Sequence, residues 1–361
     1  MISKETITQR QKIDYIVLLR AVAIILVVFA HATRSVHSPN PHMYSPLITP
    51  WWEIAIKDYI YSFHMPLLFW ISGFVFYFSA VENKKRDTVS NQLLSKAKRL
   101  ILPMYSVSFL ILLPCIFFFG HINGSIVSQI KLFLLGSDND HLWFLKTLFI
   151  IFLVTVPLHY CNKSESKFFY TIVLVIWSFF YVYQRIMPSL MVSAIKYFPF
   201  FIIGCFSRKY EYILDKMNFS MMFIFFLFLH ILVLFTKRIS ITHIPKDFIW
   251  YFAAFCGTYF MYFFARVAVN YLVSNKIWLL IKKIDTTSFS IYLFHVVFLY
   301  IVLFIDFRWG FRIAALRITL SFIAGLLLSI FVHELITKNK ILSQAFAIPY
   351  YRQDDILRRF N

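Results

Sequence analysis

Apolar runs of about twenty residues recur along the chain from Ile16 to Phe331, separated by short polar breaks. Roughly 20 consecutive apolar residues cross the hydrocarbon core of a bilayer as one helix. The pattern predicts ten spans, at 15–33, 59–80, 100–119, 142–160, 168–186, 188–207, 218–236, 248–268, 288–306 and 312–333. The stretch Gly120–Gly136 is apolar but short, and reads as a re-entrant or interfacial piece. There is no internal repeat and no low-complexity segment. The expected fold class is all-α, a polytopic membrane helix bundle. Residues 1–337 would form the membrane domain, and 338–361 a polar, basic cytoplasmic tail.

Composition agrees. The chain is 60% hydrophobic and 15% charged, with 44 Phe, where soluble chains run at about 45–50% apolar. A net charge of +19 raises a nucleic-acid reading. Its placement answers that: 22 Lys and Arg fall on one alternating set of predicted loops and tails, nine on the other. That is the positive-inside signature, and it places both termini in the cytoplasm. No nucleic acid is expected as a partner; membrane lipids are. Trp51, Trp52, Trp143, Trp250 and Trp309 fall near predicted outer ends, as an aromatic belt does. The cysteines, at 115, 161, 205 and 256, have neither metal nor disulfide spacing, and no metal is expected. The first apolar run is too long for a cleavable leader and would stay as a signal anchor.

Against this background two polar residues in the first span stand out. Arg20 and His31 are eleven positions apart, about three helical turns, so they project from nearly one face roughly 16 Å apart along the axis. An arginine inside a span costs about 2.5–3.5 kcal/mol on insertion scales. The bland reading is that Arg20 snorkels to head groups and His31 bonds a neighbouring helix. The functional reading places both in a polar interior, Arg20 holding an anionic group and His31 acting as general base. Three more segments carry candidate side chains. Phe63–Phe74 contains His64, Pro66, Ser72 and Gly73; His141–Leu145 contains Trp143 and follows Asp138 and Asp140; Ser290–His295 contains Tyr292. Arg317, inside the last span, is either a functional charge or half of a structural pair.

Taken together these segments resemble the acyltransferase-3 family of bacterial membrane proteins. The Arg-x10-His pair is similar to the family's first-helix signature. Phe63–Phe74 resembles its F-x-M-P-x-F-F-x-x-S-G-F segment, Arg99-Leu-Ile-Leu-Pro103 its entry into span three, and His141–Leu145 its H-L-W-F-L. Tyr197–Gly204 and Ser290–His295 match later segments, in order, across roughly residues 10–335. The resemblance implies O-acyl, usually O-acetyl, transfer from cytoplasmic acyl-coenzyme A to a sugar hydroxyl of an O-antigen, capsule or exopolysaccharide, in the bacterial inner membrane. It makes Arg20 and His31 the essential pair. The family's R-x-x-R reads Lys96-Ala-Lys98-Arg99 here, which leaves Arg99 and Lys96 as donor-phosphate contacts, Lys being a point charge where Arg makes a fork.

Because a thioester is already activated, the remaining work is to deprotonate and align a hydroxyl and to stabilise an oxyanion. His64, Ser72, His141, Trp143, Tyr292, His295 and Arg317 are the substrate-contacting or orienting candidates. No permanently bound cofactor is expected. Acyl-coenzyme A is a co-substrate, and the carbohydrate acceptor includes undecaprenyl-linked forms among its candidates. A direct transfer and an acyl-His31 intermediate are both open. The alternative reading is a transporter or flippase of a lipid-linked sugar or polyanion, which inverted repeats or broken helices would favour.

Overall fold

A computed structural model describes residues 4–34, 50–79, 88–118, 125–134, 140–161, 167–183, 186–187, 189–238, 246–309 and 313–351. Among these residues the regular structure is entirely helical. The helices are α1 (Lys4–Arg34), α2 (Trp51–Tyr61), α3 (His64–Tyr77), α4 (Val89–Val107), α5 (Leu113–Phe118), α6 (Ile126–Leu134), α7 (Trp143–Cys161), α8 (Lys167–Val182), α9 (Ser189–Lys209), α10 (Glu211–Leu214), α11 (Phe219–Arg238), α12 (Lys246–Leu272), α13 (Ile277–Trp309), α14 (Ala314–Thr337) and α15 (Lys340–Ala345). Eight segments are long and apolar enough to cross a membrane: 14–33, 51–77, 89–115, 143–160, 191–209, 247–272, 277–306 and 314–337. The other two predicted spans are also helices, α8 with 16 residues and α11 with a shorter apolar stretch, Phe219–Phe235. The short apolar stretch before Gly136 contains α6, whose nine residues cannot cross. Asp138, the basic residues 84–86 and those of the tail at 352, 358 and 359 lie outside the described residues.

Four boundaries differ from expectation in the same direction. Helix begins at Lys4 rather than 15, at Trp51 rather than 59, at Val89 rather than 100, and at Ile277 rather than 288. Each added segment carries charge, and charge ends a hydropathy window without ending a helix. Glu53, Lys96, Lys98, Arg99, Lys282, Lys283 and Asp285 are therefore helical.

The chain forms two compact units, Met1–Glu82 with Phe200–Ile330, and Asn83–Pro199 with Phe331–Asn361. In the first, α1 packs on α12 and α13, and α11 pairs with α12. The core gathers Tyr15, Leu19, Trp70, Phe74, Tyr262 and Phe263. Gly73 and Gly204 let α3 and α9 touch backbone to backbone: a Cβ on Gly73 would lie 1.9 Å from the Phe201 carbonyl oxygen, and one on Gly204 2.0 Å from that of Trp70. The α2–α3 break falls at Ser62–Phe63, and Pro66 sits in the first turn of α3, where a missing N–H does no harm. His230 pins the break, 3.2 Å from the Ser62 hydroxyl and 2.8 Å from the Ala253 carbonyl. Outward faces are apolar: Met221, Phe225, Phe228 and Phe235 on α11 and Leu316, Leu320, Leu327 and Leu328 on α14 are exposed. A row of that length is a lipid-facing surface.

In the second unit α4 packs on α7. Pro103 lies inside α4, whose end passes through a π turn, Ser108–Leu112, and Ser108 returns a hydrogen bond to the Met104 carbonyl. The start of the polar tail is ordered: Ser106 donates to the Ala345 carbonyl at 2.7 Å, and Asn339 caps α15.

Candidate functional site

Helices α1 and α13 run parallel, and their register builds the site. Arg20 of α1 meets Asp285 of α13; eleven residues further along α1, His31 meets His295, ten residues further along α13. Both steps are about 15–16 Å along the helix axes, so one alignment makes both pairs.

At the first level Arg20 donates from Nε and Nη2 to the two carboxylate oxygens of Asp285, each at 2.7 Å. This is a fork-to-fork pair, the strong geometry for guanidinium and carboxylate. Asp285 is 6% exposed and Arg20 40%, so the arginine is fixed on one edge and accessible on the other. Nη1 is not used by any described residue. Lys282 and Lys283 are exposed on the preceding turn.

At the second level the His31 and His295 rings sit edge to face, centroids 5.1 Å apart. His31 is half-buried and His295 fully buried. His295 Nδ1 lies 2.9 Å from the carbonyls of Ile291 and Tyr292, and only an N–H can face a carbonyl oxygen. The tautomer assigned from those partners carries its proton on Nδ1 and its lone pair on Nε2. Tyr292 is buried one turn away, its ring centroid 6.2 Å from that of His295. Gly325 of α14 admits this packing. A Cβ there would lie 2.6 Å from Leu299, 3.0 Å from Val28 and 3.6 Å from His295.

A third level lies beyond His31. Arg317 of α14 is completely buried between Glu53 of α2, 1% exposed, and Asp306 of α13, 4% exposed. The contacts are 3.9 Å to Glu53 and 3.7 Å to Asp306, ion pairs but not hydrogen bonds.

The other candidates are placed differently. His64 is buried, with Nδ1 2.9 Å from the carbonyl of Ile60 in the preceding turn. Ser72 returns its hydroxyl to the Leu68 carbonyl at 2.8 Å. In the second unit, His141 is buried at the start of α7 and Trp143 packs against Tyr197, ring centroids 5.4 Å apart. Lys96 holds its ammonium 4.5 Å from the Phe152 ring, and Arg99 is exposed.

Two groups escape the sequence reading. Asp285 lies just ahead of the predicted ninth span, and its signal is a helix-compatible acid about three turns before His295. The second is a network at the α1 end near Tyr15. Glu211 accepts from Tyr15 at 2.6 Å, from Arg266 at 2.9 Å and from Arg208. Arg266 also donates to Asp215, and its guanidinium lies 4.5 and 4.4 Å from the Tyr15 and Phe219 rings. Cys115, Cys205 and Cys256 are free thiols; Cys205 donates to the Gly73 carbonyl. No group of three or more metal-ligating side chains occurs among the described residues.

The first unit thus stacks an arginine–carboxylate fork, an imidazole pair and a buried charge cluster along α13, with α1 completing the first two levels and α2 and α14 the third, a polar interior inside a lipid-facing shell. Comparison with known proteins fits that chemistry. None of the curated proteins and none of the solved structures matches the chain. One family model, described as Acyltransferase domain, matches residues 13–334, nearly the whole length and all three levels of the site. The chain belongs to this acyltransferase-3 family and is a membrane acyltransferase.

Proposed function

We propose that the protein is an O-acyltransferase, moving an acyl group, acetyl in the simplest case, from acyl-coenzyme A to a sugar hydroxyl of a lipid-linked or surface glycan. The observation that carries this reading is the register of α1 and α13, which sets the half-buried His31 against the buried His295 and fixes Arg20 on Asp285 with the same alignment. The excess of Lys and Arg on one set of loops supports cytoplasmic termini. The Arg20 level is then the end that acyl-coenzyme A reaches.

The chemistry runs as follows. Asp285 orients Arg20, and the remaining Nη1 donates to a donor phosphate; Lys282 and Lys283 add positive charge at that end. His31 removes the proton from the acceptor hydroxyl as its oxygen attacks the thioester carbonyl. The new C–O bond forms, the C–S bond breaks, and the coenzyme A thiolate takes the proton back from the His31 imidazolium. His295 is a positioning residue: its Nδ1–H is committed to backbone carbonyls, which leaves the ring fixed against His31.

The test replaces His31 with Ala, verifies membrane abundance, and follows radiolabel from acetyl-coenzyme A onto glycan in isolated membranes. Transfer should fall about 10²–10⁴-fold, the usual worth of a positioned general base. Undiminished transfer would remove His31 from the reaction. A wild-type membrane that never labels glycan from any acyl-coenzyme A would remove the O-acyltransferase reading.

A further inference from the structure

The turn between α12 and α13 is ordered, basic and partly apolar on its outside. The Val273 N–H donates to the Val269 carbonyl and the Asn275 N–H to that of Leu272, and Asn275 Oδ1 accepts from the Ile277 N–H at 3.2 Å, so α13 starts from a built cap. On the inner side Trp278 and Ile281 pack into the core that holds Tyr15 and Tyr262. The outer side carries a mixed face. Lys276, Leu279, Leu280 and Lys283 recur at i, i+3, i+4 and i+7, and Lys282 flanks them. All five are exposed, Leu279 at 67% and Leu280 at 58%, and Tyr271 at the end of α12 is 76% exposed.

The register of the site fixes the depth of that face. Arg20 meets Asp285, so on parallel helices Leu280 comes level with Tyr15, five residues back on each and about 7.5 Å from the fork. The first membrane span begins at Asp14. Leu279 and Leu280 therefore lie at the edge of the hydrocarbon, and Lys282 and Lys283 within snorkelling reach of it. Lys276 lies about 6 Å outside, within a head-group layer about 5–7 Å thick. Single exposed leucines carry no message. Here they alternate with lysines at the one depth where acyl chains give way to phosphates. The acid of this segment, Asp285, is turned inward onto Arg20 and leaves the outer face basic.

We infer that the α12–α13 turn is a docking surface for anionic phospholipid head groups, with Lys276, Lys282 and Lys283 on the phosphates and Leu279 and Leu280 against the upper acyl chains. The leaflet is the one on the Tyr15 side, which the excess of loop Lys and Arg favours as cytoplasmic and where lipid surfaces are negative. An acidic soluble protein would meet the lysines but not leucines held at hydrocarbon depth. A lipid docked here braces the turn immediately before Asp285, and with it the helix that sets the Arg20 fork.

The experiment is native mass spectrometry of the full-length protein in detergent, titrated with equal amounts of phosphatidylglycerol and phosphatidylcholine of the same acyl chains. Each lysine near an anionic surface is worth roughly fivefold in binding. Wild type should therefore retain phosphatidylglycerol at least about tenfold more tightly. K276Q/K282Q/K283Q should bring the two lipids within about twofold of each other, with apparent Tm close to wild type. K98Q/K216Q/K338Q removes the same charge from exposed lysines elsewhere and should keep the preference. If the first triple variant does not fold, K276Q alone decides, with a loss of about fivefold expected. Equal retention of both lipids by wild type overturns the inference, as does an equal loss in the two triple variants. Displacement of phosphatidylglycerol by excess coenzyme A overturns it too, by assigning the lysines to the acyl donor. No transfer is measured, so the result is independent of the O-acyltransferase reading.

Discussion

Two ion-paired arginines, Arg317 buried and Arg266 largely so, sit at opposite ends of the α1 bundle, and the protein treats them in opposite ways. Arg266 is saturated: it donates to Glu211 and Asp215 and lies over the rings of Tyr15 and Phe219. Arg317 faces two carboxylates as well, at 3.7 and 3.9 Å, without a hydrogen bond to either. Charge counts alone would class the two clusters together, one being two carboxylates with two arginines and the other two carboxylates with one. Geometry separates them. The first network holds its helices through direct hydrogen bonds, the second through charge across gaps too long for one.

The largest effect that tests this contrast is the removal of Glu211. Its carboxylate takes donors from Tyr15, Arg208 and Arg266, so E211A leaves two largely buried cations short of a partner, Arg266 keeping only Asp215. Breaking a buried ion pair by deleting one partner costs about 3–5 kcal/mol. We expect E211A to be lost from the membrane or to unfold far below wild type in detergent. An E211A protein with wild-type apparent Tm would show that the saturated network does not hold the helices.

A smaller and more discriminating comparison is R266K against R317K. Lysine keeps the charge but loses the fork and the planar stacking face. Arg266 uses both, so R266K should lower stability by about 1.5–3 kcal/mol, the range for hydrogen bonds to charged groups. Arg317 makes no such hydrogen bond to the described residues, so R317K, which keeps the charge, should leave thermal stability closer to wild type than R266K does. Apparent Tm on the two preparations, measured in one detergent, gives the answer. If both variants lose stability equally, the distinction between the clusters fails.

What the sequence could show follows the same division between local and distant. The helical character and the ten apolar runs are local, and all ten reappear as helices. The common face of Arg20 and His31 is local too, since three turns of one helix set it. The two glycines that admit close helix contact were visible as members of polar-poor motifs. What stayed hidden is partnership across the chain. Asp285 is 265 residues from Arg20 and Glu211 is 196 from Tyr15. Hydropathy windows assign Glu53, Glu211 and Asp285 to connecting segments, because each charge lowers the local average whether or not an arginine from another helix neutralises it. The boundary errors at 51 and 277 and the missed acids are therefore one error. Arg266 was invisible for the complementary reason, a single charge diluted in the predicted apolar span 248–268.

The finest test stays inside the saturated network and compares two tyrosines whose rings touch, Tyr15 and Tyr262, centroids 5.8 Å apart and both buried. The Tyr15 hydroxyl donates to Glu211 at 2.6 Å, whereas that of Tyr262 has no hydrogen-bond partner among the described residues. Each ring would keep its packing after substitution by Phe, so only the hydroxyl is at issue. Y15F removes a bond to a charged acceptor and should cost about 1.5–3 kcal/mol. Y262F removes a buried oxygen that returns nothing for its lost hydration, and should fall within about 0.5 kcal/mol of wild type or on the stabilising side. Thermal inactivation of the two variants in one detergent measures the difference directly. If Y262F proves as damaging as Y15F, then Tyr262 does have a polar partner, and the network around Arg266 is larger than the bonds now seen.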